Sequence, residues 1–199
     1  DTDRSRGLGD VYKRQDVIVV GGGTAGCAAA YTAGKLGLKT LLIEKNIHLG
    51  GTITSALVVP AMKSGEHQIN TEFYQDLIHE LHALGGQATY QNNPGWFNPE
   101  LTKIALDNLM VKANVEVFFD THIRDITIEN KQVKAVIISK EMLSVYNDKI
   151  EIQNKSLLLS IETRYIIDAT GNCEIGKLCG CEFLEKQEEQ QPVSLRFMM

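Results

Sequence analysis

The stretch Asp16-Val17-Ile18-Val19-Val20-Gly21-Gly22-Gly23-Thr24-Ala25-Gly26 decides how the rest of the chain is read. Its β-branched run stops at three consecutive glycines, the pattern of a buried strand ending in a sharp turn. Gly21, Gly23 and Gly26 stand at the G-x-G-x-x-G spacing. The first such glycine permits the tight turn, the second lets a diphosphate approach the backbone, and the third lets the next helix pack close to the strand. Positions 25–36 are rich in small helix formers, and Gly37 follows as a stop. The helix start at Ala25 would offer free N–H groups and a positive dipole end to a phosphate pair.

Glycine-rich turns also arise by chance, so the spacing needs context. A second strand at 40–43 ends in Glu44, 18 residues past Gly26. An acid at that place accepts hydrogen bonds from the ribose hydroxyls of an adenine dinucleotide and repels a 2′-phosphate. The alternative is an ordinary turn followed by a solvated strand-end charge. The order strand, turn, helix, strand, acid favours the dinucleotide.

The chain as a whole suits such a domain. At 199 residues it can bury a core, and 43% hydrophobic with 23% charged residues excludes disorder, a collagen-like rod and a disulfide-dense mini-protein. A net charge of −5 offers no electrostatic footprint for nucleic acid. No window is long and apolar enough for a membrane span. Four cysteines, unevenly placed, point to a reducing, cytoplasmic setting. Positions 1–15 (DTDRSRGLGDVYKRQ) are polar and aperiodic, without the apolar core of a signal peptide. They read as a leader foreign to the fold or a flexible terminus.

Beyond Glu44 come Lys45, then Gly50, Gly51 and Thr52. Here the chain resembles the FAD-dependent oxidoreductases of the glutathione-reductase-like fold, in which an acid, a basic residue and a glycine pair let the loop pass close to the flavin nucleotide. Phe97-Asn98-Pro99-Glu100, Tyr165-Ile166-Ile167-Asp168-Ala169-Thr170-Gly171 and Gln191-Pro192-Val193-Ser194-Leu195-Arg196-Phe197 are similar to segments of the same family. The resemblance implies an α/β fold with a Rossmann-like parallel sheet, a β-meander across one face, and FAD as cofactor. It further implies that Ala169, Thr170 and Gly171 end a strand beside the diphosphate and the first glycine turn. Asn172 departs from the acid most relatives carry after that glycine.

Between these motifs the sequence supplies scaffold. Phe73, Leu77, Ile78, Leu81 and Leu84 mark one face of a helix over 71–84 that Gly85-Gly86 would end. A second helix starts at the Asn98 cap with Pro99 in its first position. Strands follow at 115–119, 123–128, 133–139, 149–152 and 156–161, with turns at 129–131, 147–148 and 154–155. In the resembling proteins the backbone entering the meander contacts the adenine. Thr121-His122-Ile123 takes that place here, with Ile123 as the candidate.

Other features carry less. His79 and His82 are three apart, not the four that would bring two imidazoles to one zinc. Cys173, Cys179 and Cys181 lack paired C-x-x-C spacing, and they read as buried or inert thiols. No metal site is expected. His48 reads as a solvent-facing loop residue, and Trp96, in a loop at 91–97, would line a pocket or cap the core.

The expectation is thus a leader at 1–15, an FAD-binding domain at 16–190, and at 191–199 the start of a truncated substrate domain. As an N-terminal fragment of a flavin-dependent oxidoreductase it would be inactive alone. Its cofactor-binding residues would be Gly21, Gly23, Ala25, Gly26, Glu44, Lys45, Gly50, Gly51, Thr52, Ile123, Ala169, Thr170 and Gly171. No residue qualifies as a catalytic acid or base, and the small-molecule substrate and electron acceptor are unidentified. An NAD-dependent dehydrogenase domain and a non-catalytic redox carrier or sensor remain the alternatives.

Overall fold

The structure is a computed structural model that describes residues 14–61, 71–90, 92–146 and 149–183. Strand β1 (Arg14–Val20) runs into helix α1 (Thr24–Lys35), and β2 (Thr40–Ile43) follows. A single 3-10 turn (Gly51–Ile53) precedes α2 (Thr71–Ala83). The hairpin β3 (Gln87–Tyr90) and β4 (Asn93–Phe97) comes next, then α3 (Pro99–Lys112) and β5 (Glu116–Phe118). Strands β6 (Thr121–Glu129), β7 (Gln132–Tyr146) and β8 (Lys149–Asp168) lead to the short helix α4 (Glu174–Leu178).

One six-stranded sheet has the order β5-β2-β1-β8-β7-β6. β5, β2, β1 and the end of β8 are parallel, whereas β6, β7 and the start of β8 are antiparallel. β1 and β2 are buried on both faces, which is why they read as unbroken apolar runs. Val17, Val19 and Leu42 face the helices, packing with Phe73, Leu81, Leu106 and Leu109. The alternate residues Ile18, Val20, Leu41 and Ile43 pack with Ile126, Val136, Ile138 and Ile161 of the meander. The domain therefore has three layers, and the meander covers one face of the parallel sheet as expected.

Several boundaries differ from the sequence reading. β1 begins at Arg14 because β8 offers partners that far down, Arg14 opposite Glu162 and Gln15 opposite Thr163. The last two residues of the supposed leader thus belong to the sheet; positions 1–13 lie outside the described residues. The strands expected at 149–152 and 156–161 and the Ala-Thr-Gly strand are one strand, β8. It pairs with β7 up to Glu162 and with β1 from Glu162 onward. Asn154-Lys155 makes no turn: the pairing steps from Glu141 opposite Ser156 to Met142 opposite Gln153, so the strand absorbs both residues as a bulge. Positions 91–97, expected as loop, contain β4, which pairs with β3 around Trp96 opposite Ala88. The turn at 129–131 is present, with Asn130 and Lys131 at positive φ as a tight hairpin needs. The turn expected at 147–148 and the segment 191–199 lie outside the described residues.

Candidate nucleotide site

The parallel strands β1, β2 and β8 end around a cavity of about 380 Å³. Gly21, Gly23, Thr24 and Ala25 form its floor. Glu44, Lys45 and Asn46 from the end of β2 stand on one side, next to Thr121, His122 and Ile123 at the start of β6. Ala169, Thr170, Gly171 and Glu174 form another wall, and Gly51 and Thr52 bring in the glycine-pair loop. The structure thus draws together eleven of the thirteen expected residues. Gly26 and Gly50 act from behind.

Gly26 belongs to the frame of the turn, since a Cβ there would come within 1.7 Å of the Gly21 carbonyl oxygen. Gly21 has φ of 96°, and a Cβ on it would lie 2.7 Å from the Ala169 oxygen, so the end of β8 does pack against the first glycine turn. Gly50 donates its N–H to the Gly22 carbonyl at 2.8 Å, which seats the glycine-pair loop on the first turn.

Gly23 is different. A Cβ there would meet nothing within 4 Å, and its φ of −68° is open to any residue. Protein packing therefore gives no reason for a glycine; the space its missing side chain leaves belongs to the cavity. Gly23 is also the N-cap of α1, which has no side-chain cap and no acid in its first turn. Its first N–H groups are left for an anion. These features fit the diphosphate of a dinucleotide.

Glu44 is buried, and its carboxylate already has partners. Oε2 accepts the Gly22 N–H at 2.5 Å, and Oε1 accepts both the backbone N–H and the side-chain amide of Asn46, at 2.8 and 2.6 Å. It ties the end of β2 to the glycine turn. Two carboxylate oxygens can accept about four hydrogen bonds, so capacity remains for a ribose hydroxyl.

The wall after β8 is built by Asp168. Its Oδ1 accepts from the Thr170 N–H and hydroxyl at 3.0 and 2.6 Å, and Oδ2 accepts the Gly176 N–H at 3.0 Å. Thr170 Oγ1 in turn accepts the Glu174 N–H at 2.8 Å, which binds α4 to the strand end. Burial pushes the Asp168 carboxyl upward, but these bonds, the Thr170 hydroxyl foremost, hold it below its ordinary range.

Thr24, Asn46 and Glu174 line the cavity without having been singled out in the sequence, and Thr121 and His122, of the segment expected at the adenine, line it beside the candidate Ile123. Asn46 and Thr24 sit next to fingerprint residues, so adjacency could have found them. Glu174 could not have been found that way, because it depends on how α4 folds back. His48 is half-buried in the loop behind, its Nδ1 3.3 Å from the Leu49 carbonyl, and is not among the lining residues. Trp96 stacks edge-on with Tyr90 at 5.3 Å, away from the cavity. Cys27 is buried and its thiol is pushed up to about 12 chiefly by that burial, so it is inert. Cys173 and Cys181 are exposed rather than buried. Among the described residues no group of side chains could hold a metal ion, and no helix is long and apolar enough to cross a membrane.

A parallel sheet with a glycine turn, an acid at the end of β2 and a covering meander defines a dinucleotide-binding α/β protein. Residues 16–199 match the family model for FAD dependent oxidoreductases, and the chain belongs to that family, with FAD as its cofactor. It is 26% identical over 159 residues to the thiamine thiazole synthase of Pyrococcus horikoshii, covering 79% of this chain and 57% of that protein. A shorter stretch of 73 residues is 40% identical to the digeranylgeranylglycerophospholipid reductase of Methanocaldococcus jannaschii, covering 37% of this chain and 18% of the relative. The fold is similar to that of Thermovibrio ammonificans THI4, with a TM-score of 0.60 at 18% identity over 91% of this chain and 68% of that one. The chain thus spans little more than half the length of the thiazole synthase it matches.

Proposed function

We propose that the chain is the FAD-binding portion of a flavin-dependent oxidoreductase. Bound FAD would supply the redox chemistry, accepting and passing on a hydride or electron pair. The work of this chain is to bind and orient it. Gly21, Gly23 and the start of α1 at Ala25 would hold the diphosphate, with Gly26 fixing their approach. Glu44 would hold the adenosine ribose, Lys45 and Ile123 would flank the adenosine, and Ala169, Thr170 and Gly171 would close the far side. Gly51 and Thr52 would lie toward the ribityl and ring end, with Gly50 seating their loop on the glycine turn. The observation that carries this reading is the open space at Gly23 above an uncapped helix start.

The substrate is proposed to be a small molecule whose electron pair would pass through the flavin to a separate acceptor, with no nucleic-acid partner. A cytoplasmic setting is supported by the cysteine usage, all four thiols being free. Purified protein with a flavin absorption band near ~450 nm is the expected result, because the cofactor supplies the chromophore. Colourless protein that binds NADH but not FAD would favour the dehydrogenase reading, and tightly held flavin that no donor reduces would favour a carrier. Glu44→Arg should weaken FAD binding by about tenfold or more, since it removes the ribose acceptor and leaves the Gly22 N–H unpaired. Unchanged affinity would refute the ribose role.

A further inference from the structure

Lys45 and Glu174 come from opposite sides of the cavity, one just past the end of β2 and the other at the start of α4. Both line it, and Lys45 Nζ lies 3.8 Å from Glu174 Oε1. The side chains are 54% and 41% exposed, so the pair sits at the cavity's solvent edge. Isolated surface pairs contribute little, largely because two long side chains must be held in one geometry. Here both backbones are already fixed. Lys45 follows Glu44, whose carboxylate is held by Gly22 and Asn46, and the Glu174 N–H is held by Thr170 Oγ1, itself bonded to Asp168.

Glu174 is also a puzzle on its own. A carboxylate lining a site for a dianionic diphosphate repels the ligand at short range. Its pairing with Lys45 offsets that charge and gives the residue a use. Resting on the FAD reading above, we infer that Lys45 and Glu174 form an electrostatic clasp across the mouth of the nucleotide site, which must open for the dinucleotide to leave. The pair restrains release and takes no part in redox chemistry.

The test is the rate of FAD release from the full chain, followed by the recovery of flavin fluorescence after dilution. Glu174→Gln keeps the backbone bond to Thr170 and removes only the charge. At ~0.01 M KCl the variant should release FAD about two- to fivefold faster than the unaltered chain, the range expected of an exposed but oriented pair. At ~1 M KCl, where screening acts within about 3 Å, the ratio should fall to about one. Equal rates at low salt overturn the clasp. Slower release from the variant also overturns it, because Glu174 would then act only by repelling the diphosphate. The unaltered chain gives a second measure that needs no variant: its release rate should rise with KCl, and a rate independent of salt counts against the pair. A chain that takes up no FAD defeats the FAD reading itself, a result distinct from FAD that binds but leaves at an unaltered rate.

Discussion

At the scale of single residues, the glycines separate two kinds of requirement that look alike in a sequence. Gly26 is needed by the protein, because a Cβ there would strike the Gly21 carbonyl at 1.7 Å. Gly23 is under no such demand from its own fold, because its Cβ would enter open space at the cavity. Gly26→Ala should therefore lower the stability of the FAD-free protein by about 1–3 kcal/mol or more, through forced backbone shifts. Gly23→Ala should stay within about 0.5 kcal/mol of the parent by urea unfolding and yet bind FAD about tenfold or more weaker in a fluorescence titration. If both lose stability alike, the distinction fails. Gln15 makes a third case: it is 1% exposed, and neither side-chain amide atom has a hydrogen-bond partner among the described residues. Replacing it with valine should raise stability by about 1–3 kcal/mol, the cost of an unsatisfied buried polar group. An unaltered or lower urea midpoint would show that the amide finds a partner.

At the scale of elements, the joint between β8 and α4 depends on one carboxylate. Asp168 accepts three bonds that hold Thr170 and Gly176, and with them one wall of the cavity. Its carboxyl lies below the ordinary range in the folded protein. Such a group adds stability above the unfolded value of about 3.9, and the contribution is lost as pH falls through the lower folded value. Asp168→Asn should thus cost about 1–3 kcal/mol at pH 7, and the gap between parent and variant should narrow as pH drops below ~4. Denaturant curves from pH 7 to 3 check this, and a gap that widens on acidification would contradict it. The same joint shows why Thr170 and Gly171 were legible as a strand end while α4 was not. Five residues carry too little periodicity to announce a helix, and α4 is held by bonds to a strand rather than by its own pattern.

At the scale of the whole molecule, β8 unites what a strand-by-strand reading divides. It belongs to the meander up to Glu162 and to the parallel sheet beyond it, so the two share hydrogen bonds as well as a core. Ile161, fully buried just before that handover, packs in the cluster that joins the layers. Ile161→Ala should cost about 2–5 kcal/mol, with far- and near-ultraviolet circular dichroism shifting together in one transition. Separate transitions would mean that meander and sheet unfold independently. The sequence alone determined the strand, turn and helix of the fingerprint, the acid at Glu44, and the caps at Asn98 and Gly37, because each is written in local spacing and residue type. It also placed eleven residues that do line the cavity. Only the tertiary structure decided that Asn154-Lys155 is a bulge and not a turn, that Gln15 is buried, and that Glu174 faces Lys45 from 129 positions away. Those outcomes depend on which distant strand or helix arrives as a neighbour, and pairing partners leave no periodic trace in a single chain of letters.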